Sequence, residues 1–208
     1  MAEKSKVVKM KKKKIKVLHP KAKLFRSSDP SMSVFMWGIN YMGSEMQHVQ
    51  IPVMLLPEHF KAFTKVKVEN KDFNKETMPS HYKFKIYFPV AFKIIRERFG
   101  TDDMQYVRSL TSREPTRVIP NPGRSHSRLM STSDERFVVK TIGGDEVGQL
   151  HALIRPYYEY LVTNSSGTFL PHILGLYRVT VGEQDSYYFV MGNAFERAYK
   201  IKVTLNYH

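Results

Sequence analysis

Two apolar segments near the C-terminal end constrain most strongly what this chain can fold into. The segments "ILGLYRVTV" and "SYYFVMGN" are rich in β-branched and aromatic residues, and only the short sequence "GEQD" separates them. Two such runs joined by a tight, glycine-containing turn predict a β-hairpin. The chain is therefore expected to contain an antiparallel sheet.

A second strand pattern lies near the middle of the chain, in "HYKFKIYF". Tyr82, Phe84 and Ile86 alternate with Lys83 and Lys85. Because successive side chains of a strand point to opposite faces, this alternation predicts one buried face and one basic face.

Further segments complete the predicted fold. Strands are predicted for "HVQIPVMLL", "FTKVKVEN" and "RFVVKTI". Helices are predicted for "DPSMSVFMWGINYM", with Asp29 as the cap and Pro30 at the first helical position, and for "TDDMQYVRSL", with Thr101 or Asp102 as the cap. Two more are predicted for residues 89–100 and for residues 145–154, where Pro156 ends or kinks the helix. Residues 111–133 are polar and are predicted to form a loop. Together these elements predict an α+β fold, an antiparallel sheet with helices on one side.

Composition narrows the possible functions. The chain has 208 residues and 42% apolar residues, enough for a buried core, and it has no cysteine, which excludes thiol catalysis and cysteine zinc sites. No transmembrane helix or secretory signal is expected. The net charge is +14, and residues 1–23 contain ten lysines and one glutamate. This segment is expected to be a disordered basic arm, with an anionic membrane or nucleic acid as alternative partners.

The order of elements around Lys140 suggests a chemistry. The loop "NPGRSHSRLMSTSDE" precedes a strand that carries Lys140, a helix follows, and the hairpin comes next. In a kinase small lobe, a loop covers the phosphates, a strand lysine binds them, and a helix steadies that lysine. Small residues such as Gly123, Ser125 and Ser127 would let backbone N–H groups approach phosphate oxygens. The alternative is a solvated lysine, since no glycine-rich phosphate motif is present.

Longer motifs resemble a known family. The segments "KLFRSSDPSMSVFMWGIN", "HVQIPVMLLPEHFKAF", "NKETMPSHYKFKIYFP", "RFVVKTI" and "LPHILGLYRVTV" closely resemble type II phosphatidylinositol phosphate kinases, the phosphatidylinositol 5-phosphate 4-kinases, over roughly residues 20–199. The resemblance implies a kinase-like small lobe on an antiparallel sheet, a transferase that uses ATP (or GTP) with Mg²⁺, and a phosphoinositide acceptor at a membrane surface.

The resemblance also implies roles for individual residues. Lys140 is the expected phosphate-binding lysine and residues 122–128 the expected phosphate loop. The expected nucleotide contacts are Lys140, Gly123, Ser125, His126, Ser127, Asn193, Ala194 and Phe195. The expected membrane face comprises Lys65, Lys67, Lys83 and Lys85, with ordinary solvated strand lysines as the alternative. The N-terminal helix and strands are expected to form a homodimer, or a heterodimer with a full-length kinase.

Two departures from the family pattern bear on activity. Gln149 stands where the family can place the glutamate that pairs with the lysine, although Glu146 is a candidate substitute three residues earlier. Gly192 stands where many members have arginine. No catalytic or metal-binding aspartate motif of the family's large lobe occurs in the 208 residues, so no catalytic or metal-ligating residue is assigned. The chain is expected to be truncated, to bind nucleotide weakly, and to be inactive alone.

The predicted organisation follows from these assignments. Residues 1–23 form the arm, 24–110 the dimerisation and membrane part, 111–135 the phosphate-loop region, 136–199 the rest of the small lobe, and 200–208 a divergent tail. The predicted function is that of a phosphoinositide kinase, and the alternative is a kinase-dead dimerisation or membrane-binding isoform. A nucleic-acid role or an unstable gene-model fragment is less well supported. The expected location is the cytoplasmic side of the plasma or internal membranes, or the nucleus.

Overall fold

Seven strands form one antiparallel sheet. They are β1 (Phe63–Glu69), β2 (His81–Tyr87), β3 (Thr116–Arg117), β4 (Leu129–Ser131), β5 (Phe137–Ile142), β6 (Ile173–Val181) and β7 (Gln184–Gly192). The structure is a computed structural model that describes residues 27–69, 78–117, 127–164 and 168–194. The strand order is β1-β2-β6-β7-β5-β4-β3, and every neighbouring pair is antiparallel.

The predicted hairpin lies at the centre of this sheet. Strands β6 and β7 pair from Ile173 opposite Met191 to Val181 opposite Gln184. Gly182 occupies the turn with φ +60°, a conformation that glycine adopts without steric cost. The hairpin prediction is confirmed.

Among the described residues, four α-helices pack on the sheet: α1 (Pro30–Met46), α2 (Pro89–Arg98), α3 (Asp103–Thr111) and α4 (Gly144–Thr163). Asp29 caps α1 by accepting a 2.8 Å hydrogen bond from the Ser31 backbone N–H, and Asp102 caps α3 through the Gln105 N–H at 2.9 Å. Both caps satisfy amides that have no partner within the helix. The predicted starts of these helices are confirmed.

The α+β class and the antiparallel sheet are confirmed, but the helices cover both faces of the sheet. Helices α1 and α3 share one buried cluster with Tyr177 and Tyr188. Helices α2 and α4 share a second cluster with Leu176 and Phe189. Since Tyr177 is the neighbour of Leu176 along β6, the two clusters lie on opposite faces. The expectation that all helices share one side is wrong.

Three local predictions are also wrong. No strand forms in residues 48–56, where Pro52 has no N–H to donate to a strand pair. The expected loop at 111–133 contains strands β3 and β4 at its described ends. Helix α4 continues through Pro156 to Thr163.

Burial beyond Pro156 explains why α4 does not stop there. Pro156 and Ala152 are exposed, so the Ala152 carbonyl that loses its helical donor can reach water. Tyr157 and Leu161 are buried in the next turns, and the Tyr157 hydroxyl donates to the Pro171 carbonyl at 2.7 Å. This burial outweighs the local effect of the proline.

Several sequence predictions concern residues outside the described ranges, including the basic arm and the divergent tail. The predicted domain boundaries therefore stay predictions. Within the described ranges, no helix is long and apolar enough to cross a membrane.

Candidate functional site

Lys140 projects from β5 on the face opposite to α1. Phe137 and Val139 are buried in the cluster beneath α1, so the alternation of the strand turns Lys140 to the other face. There its ammonium group lies 3.2 Å from Oε1 of Glu146 in the first turn of α4. The short connection from β5 to α4 brings these two groups together.

Glu146 is the acidic partner of Lys140, and Gln149 is not. The second carboxylate oxygen of Glu146 accepts a 2.8 Å hydrogen bond from the Gly143 backbone N–H. This bond, and then the neighbouring ammonium group of Lys140, lower the pKa of Glu146. Gln149 is exposed. The substitute suggested by the sequence is therefore the residue that pairs with the lysine.

A cavity of about 680 Å³ lies at the end of the sheet near Lys140. Leu129, Val138 and Met191 provide apolar walls, and Asn193 and Ala194 border it where β7 ends. Lys140 is not itself a wall residue. It shares a strand face with Val138, two residues away, which corresponds to roughly 7 Å along a strand.

Aromatic residues form the other side of the cavity. The rings of Phe99 and His172 stack with centroids 3.7 Å apart, and burial lowers the pKa of His172. The Gly192 N–H donates to the His172 carbonyl at 2.8 Å. A Cβ atom at position 192 would lie 3.2 Å from the His172 Cβ, so this close approach of two chain segments favours glycine.

Asn193 is held by the turn that precedes β5. Its backbone N–H donates to the Arg136 carbonyl at 2.8 Å, and its side-chain amide donates to the Glu135 carbonyl at 2.6 Å. These contacts fix the end of β7 beside the start of β5. In this structure the Asn193 amide thus contacts backbone, while the residue still borders the cavity expected to hold a purine.

The described residues include only part of the predicted nucleotide site. Lys140, Ser127, Asn193 and Ala194 are described, whereas Gly123, Ser125, His126 and Phe195 lie outside the described ranges. Sequence reasoning missed the apolar walls at Leu129, Val138 and Met191. The alternation of side chains along a strand could have identified Val138, because a residue two positions before Lys140 lies on the same face of the strand.

The four candidate membrane lysines occupy one face of β1 and β2. Lys65 lies opposite Lys85, and Lys67 lies opposite Lys83, in the antiparallel register. These four residues are called the lysine face below. Arg178 of β6 lies opposite Lys85 and extends the row of cations, and sequence reasoning did not identify it.

The lysine face carries little compensating negative charge. Lys67 lies 3.6 Å from Glu69, but within the described ranges no carboxylate forms a salt bridge with Lys65, Lys83 or Lys85. The pKa of Lys85 is lowered, first by burial and then by repulsion from Arg178 and Lys65. An anion placed over this face would relieve that repulsion.

Metal ligands are not assembled in the part of the chain that the structure describes. No group of three or more histidine, aspartate or glutamate residues there could hold a metal ion.

A strand lysine paired with a carboxylate of the following helix is an arrangement that also occurs in the small lobe of protein kinases. The family model described as phosphatidylinositol-4-phosphate 5-kinase matches residues 110–207. Phosphatidylinositol 5-phosphate 4-kinase type-2 alpha of Mus musculus is 47% identical over 189 residues, and the human type-2 beta protein is 44% identical over 175 residues. Residues 110–207 therefore match the phosphatidylinositol phosphate kinase family, and the chain is similar to type II members of that family over 90% of its length.

Coverage of these relatives is partial. The matches include 90% and 84% of this chain, but only 46% and 42% of the alpha and beta relatives. The chain thus spans somewhat less than half the length of the relatives it matches.

Proposed function

We propose that this chain forms the nucleotide-binding part of a phosphoinositide kinase that transfers a phosphoryl group from ATP (or GTP) to an inositol hydroxyl. The family supports lipid kinase activity, and the similarity to type-2 alpha and beta proteins favours phosphatidylinositol 5-phosphate as acceptor. The observation that carries the proposal is the Lys140–Glu146 pair beside the cavity at the sheet end.

In this proposal the described residues bind and orient the nucleotide. The Lys140 ammonium group neutralises phosphate charge, and Glu146 holds the lysine in position. Leu129, Val138 and Met191 exclude water from the purine. Bound Mg²⁺ would neutralise the charge on the phosphates, and its ligands are not assigned to these residues. For a polypeptide of residues 1–208 we expect weak nucleotide binding and no turnover of phosphatidylinositol 5-phosphate vesicles.

Removing the Lys140 charge is expected to weaken nucleotide binding. Hydrogen bonds to charged groups contribute about 1.5–3 kcal/mol, so Lys140→Met should lower affinity at least about tenfold. The measurement is titration of a fluorescent ATP analogue, with thermal unfolding as a check on folding. Lys67→Met is the matched control, because it removes the same charge from an exposed strand position. Equal affinities of the two variants would contradict the nucleotide assignment.

A membrane role for the lysine face is the second part of the proposal. The antiparallel register, which gathers Lys65, Lys67, Lys83 and Lys85 on one face, supports contact with anionic phosphoinositide membranes. We propose a peripheral location on the cytoplasmic side of membranes for this reason. The same observation supports the membrane-binding part of the alternative, a kinase-dead subunit that dimerises or binds membranes.

Neutralising a lysine of this face should weaken vesicle binding. A lysine near an anionic surface contributes about 1 kcal/mol, so Lys65→Gln is expected to reduce affinity roughly fivefold. Sedimentation with vesicles containing phosphatidylserine and a phosphatidylinositol phosphate measures the effect. Arg108→Gln is the control, since α3 lies on the opposite face of the sheet. Deleting residues 1–23 separates the contribution of the basic arm. Equal losses from the two glutamine substitutions would refute a specific lysine face.

A further inference from the structure

We propose that exposed apolar residues that precede the lysine face along the chain and join it at Phe63 insert into the interfacial layer of an anionic membrane, while the lysines contact its headgroups. These residues, called the apolar border, are Ile51, Val53, Met54, Leu56 and Phe63. The inference rests on the proposed membrane role of the lysine face. It goes further, because it states that attachment is partly apolar and names the side chains that enter the bilayer.

Exposure in the apolar border is high. All five side chains are large, apolar and exposed within one stretch of thirteen residues, and Val53 is fully exposed. Leaving such side chains in water is unfavourable, and a concentration of them in one segment marks an interaction surface.

Phe63 joins the apolar border to the lysine face. It lies opposite Tyr87 at one end of the β1–β2 pair, and it shares the face of Lys65, two residues later in β1. The Lys85 ammonium group lies 3.8 Å from the Phe63 ring centroid and 4.3 Å from that of Tyr87. An exposed aromatic ring and the lysines therefore lie on the same face of the sheet.

The rest of the apolar border is anchored at both ends. Before it, the Lys93 ammonium group donates to the Val49 carbonyl at 3.2 Å. Inside the segment that carries the apolar border, Leu55 packs against the buried cluster shared by α2 and α4, and Phe60 belongs to that cluster. In the same segment, the Leu56 N–H donates a hydrogen bond to Nδ1 of His59 at 2.9 Å. These contacts hold the backbone on the body of the protein while Val53 and Met54 remain outside.

Charge identifies the occupant as a lipid surface. The buried centres of protein–protein interfaces are depleted of lysine, because a lysine buried there would need a carboxylate partner. Here three of the four lysines have no salt-bridge partner among the described residues, and one of these three, Lys85, lies against the exposed ring of Phe63. An anionic bilayer complements both features, since its headgroups are negative and its acyl chains are apolar.

A position-specific probe tests the proposal. The chain contains no cysteine, so a single Met54→Cys substitution can be labelled with an environment-sensitive fluorophore without other changes. Met104→Cys is the matched control, because Met104 is 61% exposed against 69% for Met54 but lies on α3 at the opposite face. Vesicles contain phosphatidylcholine, phosphatidylserine and a phosphatidylinositol phosphate, with or without brominated acyl chains.

For the label at position 54, we expect the emission to shift to the blue when vesicles are added and to be quenched by brominated acyl chains. For the label at position 104, we expect the emission to stay unchanged. The basic arm can attach the protein to vesicles but cannot produce this difference between positions. If the protein sediments with vesicles while the label at 54 stays in water, insertion is refuted and the role of the lysine face survives. No sedimentation would refute both. A blue shift without lipid, together with doubled mass in light scattering, would assign the apolar border to a second copy of the chain and overturn the proposal.

A second variant measures how much insertion contributes to affinity. Val53→Ser combined with Met54→Ser should weaken vesicle binding about tenfold or more, because two apolar side chains no longer leave water. The loss should persist at high salt, which screens the lysines but not apolar contacts. Met104→Ser should have no effect. A loss that disappears at high salt would contradict apolar insertion.

Discussion

Gly38→Ala is expected to destabilise the protein by about 2 kcal/mol or more, because α1 leaves no space for a methyl group against the sheet. A Cβ atom at position 38 would lie 2.3 Å from atoms of the Phe84 ring. That ring is buried and stacks on Tyr177 with centroids 5.7 Å apart, so it cannot move aside freely. The loss should exceed the helix-propensity gain of alanine over glycine, about 1 kcal/mol.

Gly148→Ala provides the matched control within α4. Gly148 is exposed, and nothing lies within 4 Å of the position its Cβ would occupy. This substitution is expected to stabilise the protein by about 0.5–1 kcal/mol through helix propensity. Urea denaturation of both variants gives their free energies of unfolding. The close contact between α1 and β2 would be refuted if Gly38→Ala were as stable as the original protein.

The sequence was sufficient to predict those structural elements that depend on residues close together in the chain. The alternation of Tyr82, Phe84 and Ile86 with lysines predicted β2, and all three are buried in the structure. The caps of α1 and α3 were also predictable, because an aspartate at a helix start satisfies backbone amides within its own turn. These features depend on residues only a few positions apart.

Elements that depend on tertiary contacts were not predicted. The continuation of α4 past Pro156 reflects burial of Tyr157 and Leu161 against distant residues. Strands β3 and β4 have only two and three residues, too few for an alternation pattern, and they form by pairing with each other and with β5. The division of the helices between two faces likewise requires the strand order, which no local pattern contains.

The candidate sites were predictable only in part. The strand position of Lys140 and the alternation of Lys83 and Lys85 could be seen in the sequence. The choice between Glu146 and Gln149 required the direction of each side chain from α4. The meeting of Lys65 with Lys85, and of Lys67 with Lys83, required the register between β1 and β2. Arg178 joins them through a strand nearly 100 residues later in the chain.

Asp103→Ala is expected to be more destabilising than Gly38→Ala, at about 3 kcal/mol, because it leaves a buried guanidinium group without its partner. Arg96 is buried, and its Nε donates to Asp103 Oδ1 at 2.7 Å. Its Nη1 donates to the Leu174 carbonyl at 3.0 Å, so the pair links α2 and α3 to the sheet beside the cavity. Burial alone would lower the pKa of Arg96, but the buried Tyr177 and Tyr106, and then the negative charge and hydrogen bond of Asp103, keep this pKa raised. Because an arginine guanidinium group is effectively always protonated in proteins, its charge would remain after the substitution.

Asp102→Ala separates this effect from helix capping. Asp102 is the cap of α3, and its exposed side chain accepts a hydrogen bond from the Gln105 N–H, so its loss should cost about 1 kcal/mol. Urea denaturation should rank Asp103→Ala well below Asp102→Ala in stability. Adding Arg96→Met to Asp103→Ala should recover part of the loss, because the unpaired charge is then removed as well. If the two alanine variants were equally stable, the Arg96–Asp103 pair would contribute no more than an ordinary cap, and the link from α3 to the cavity would need another explanation.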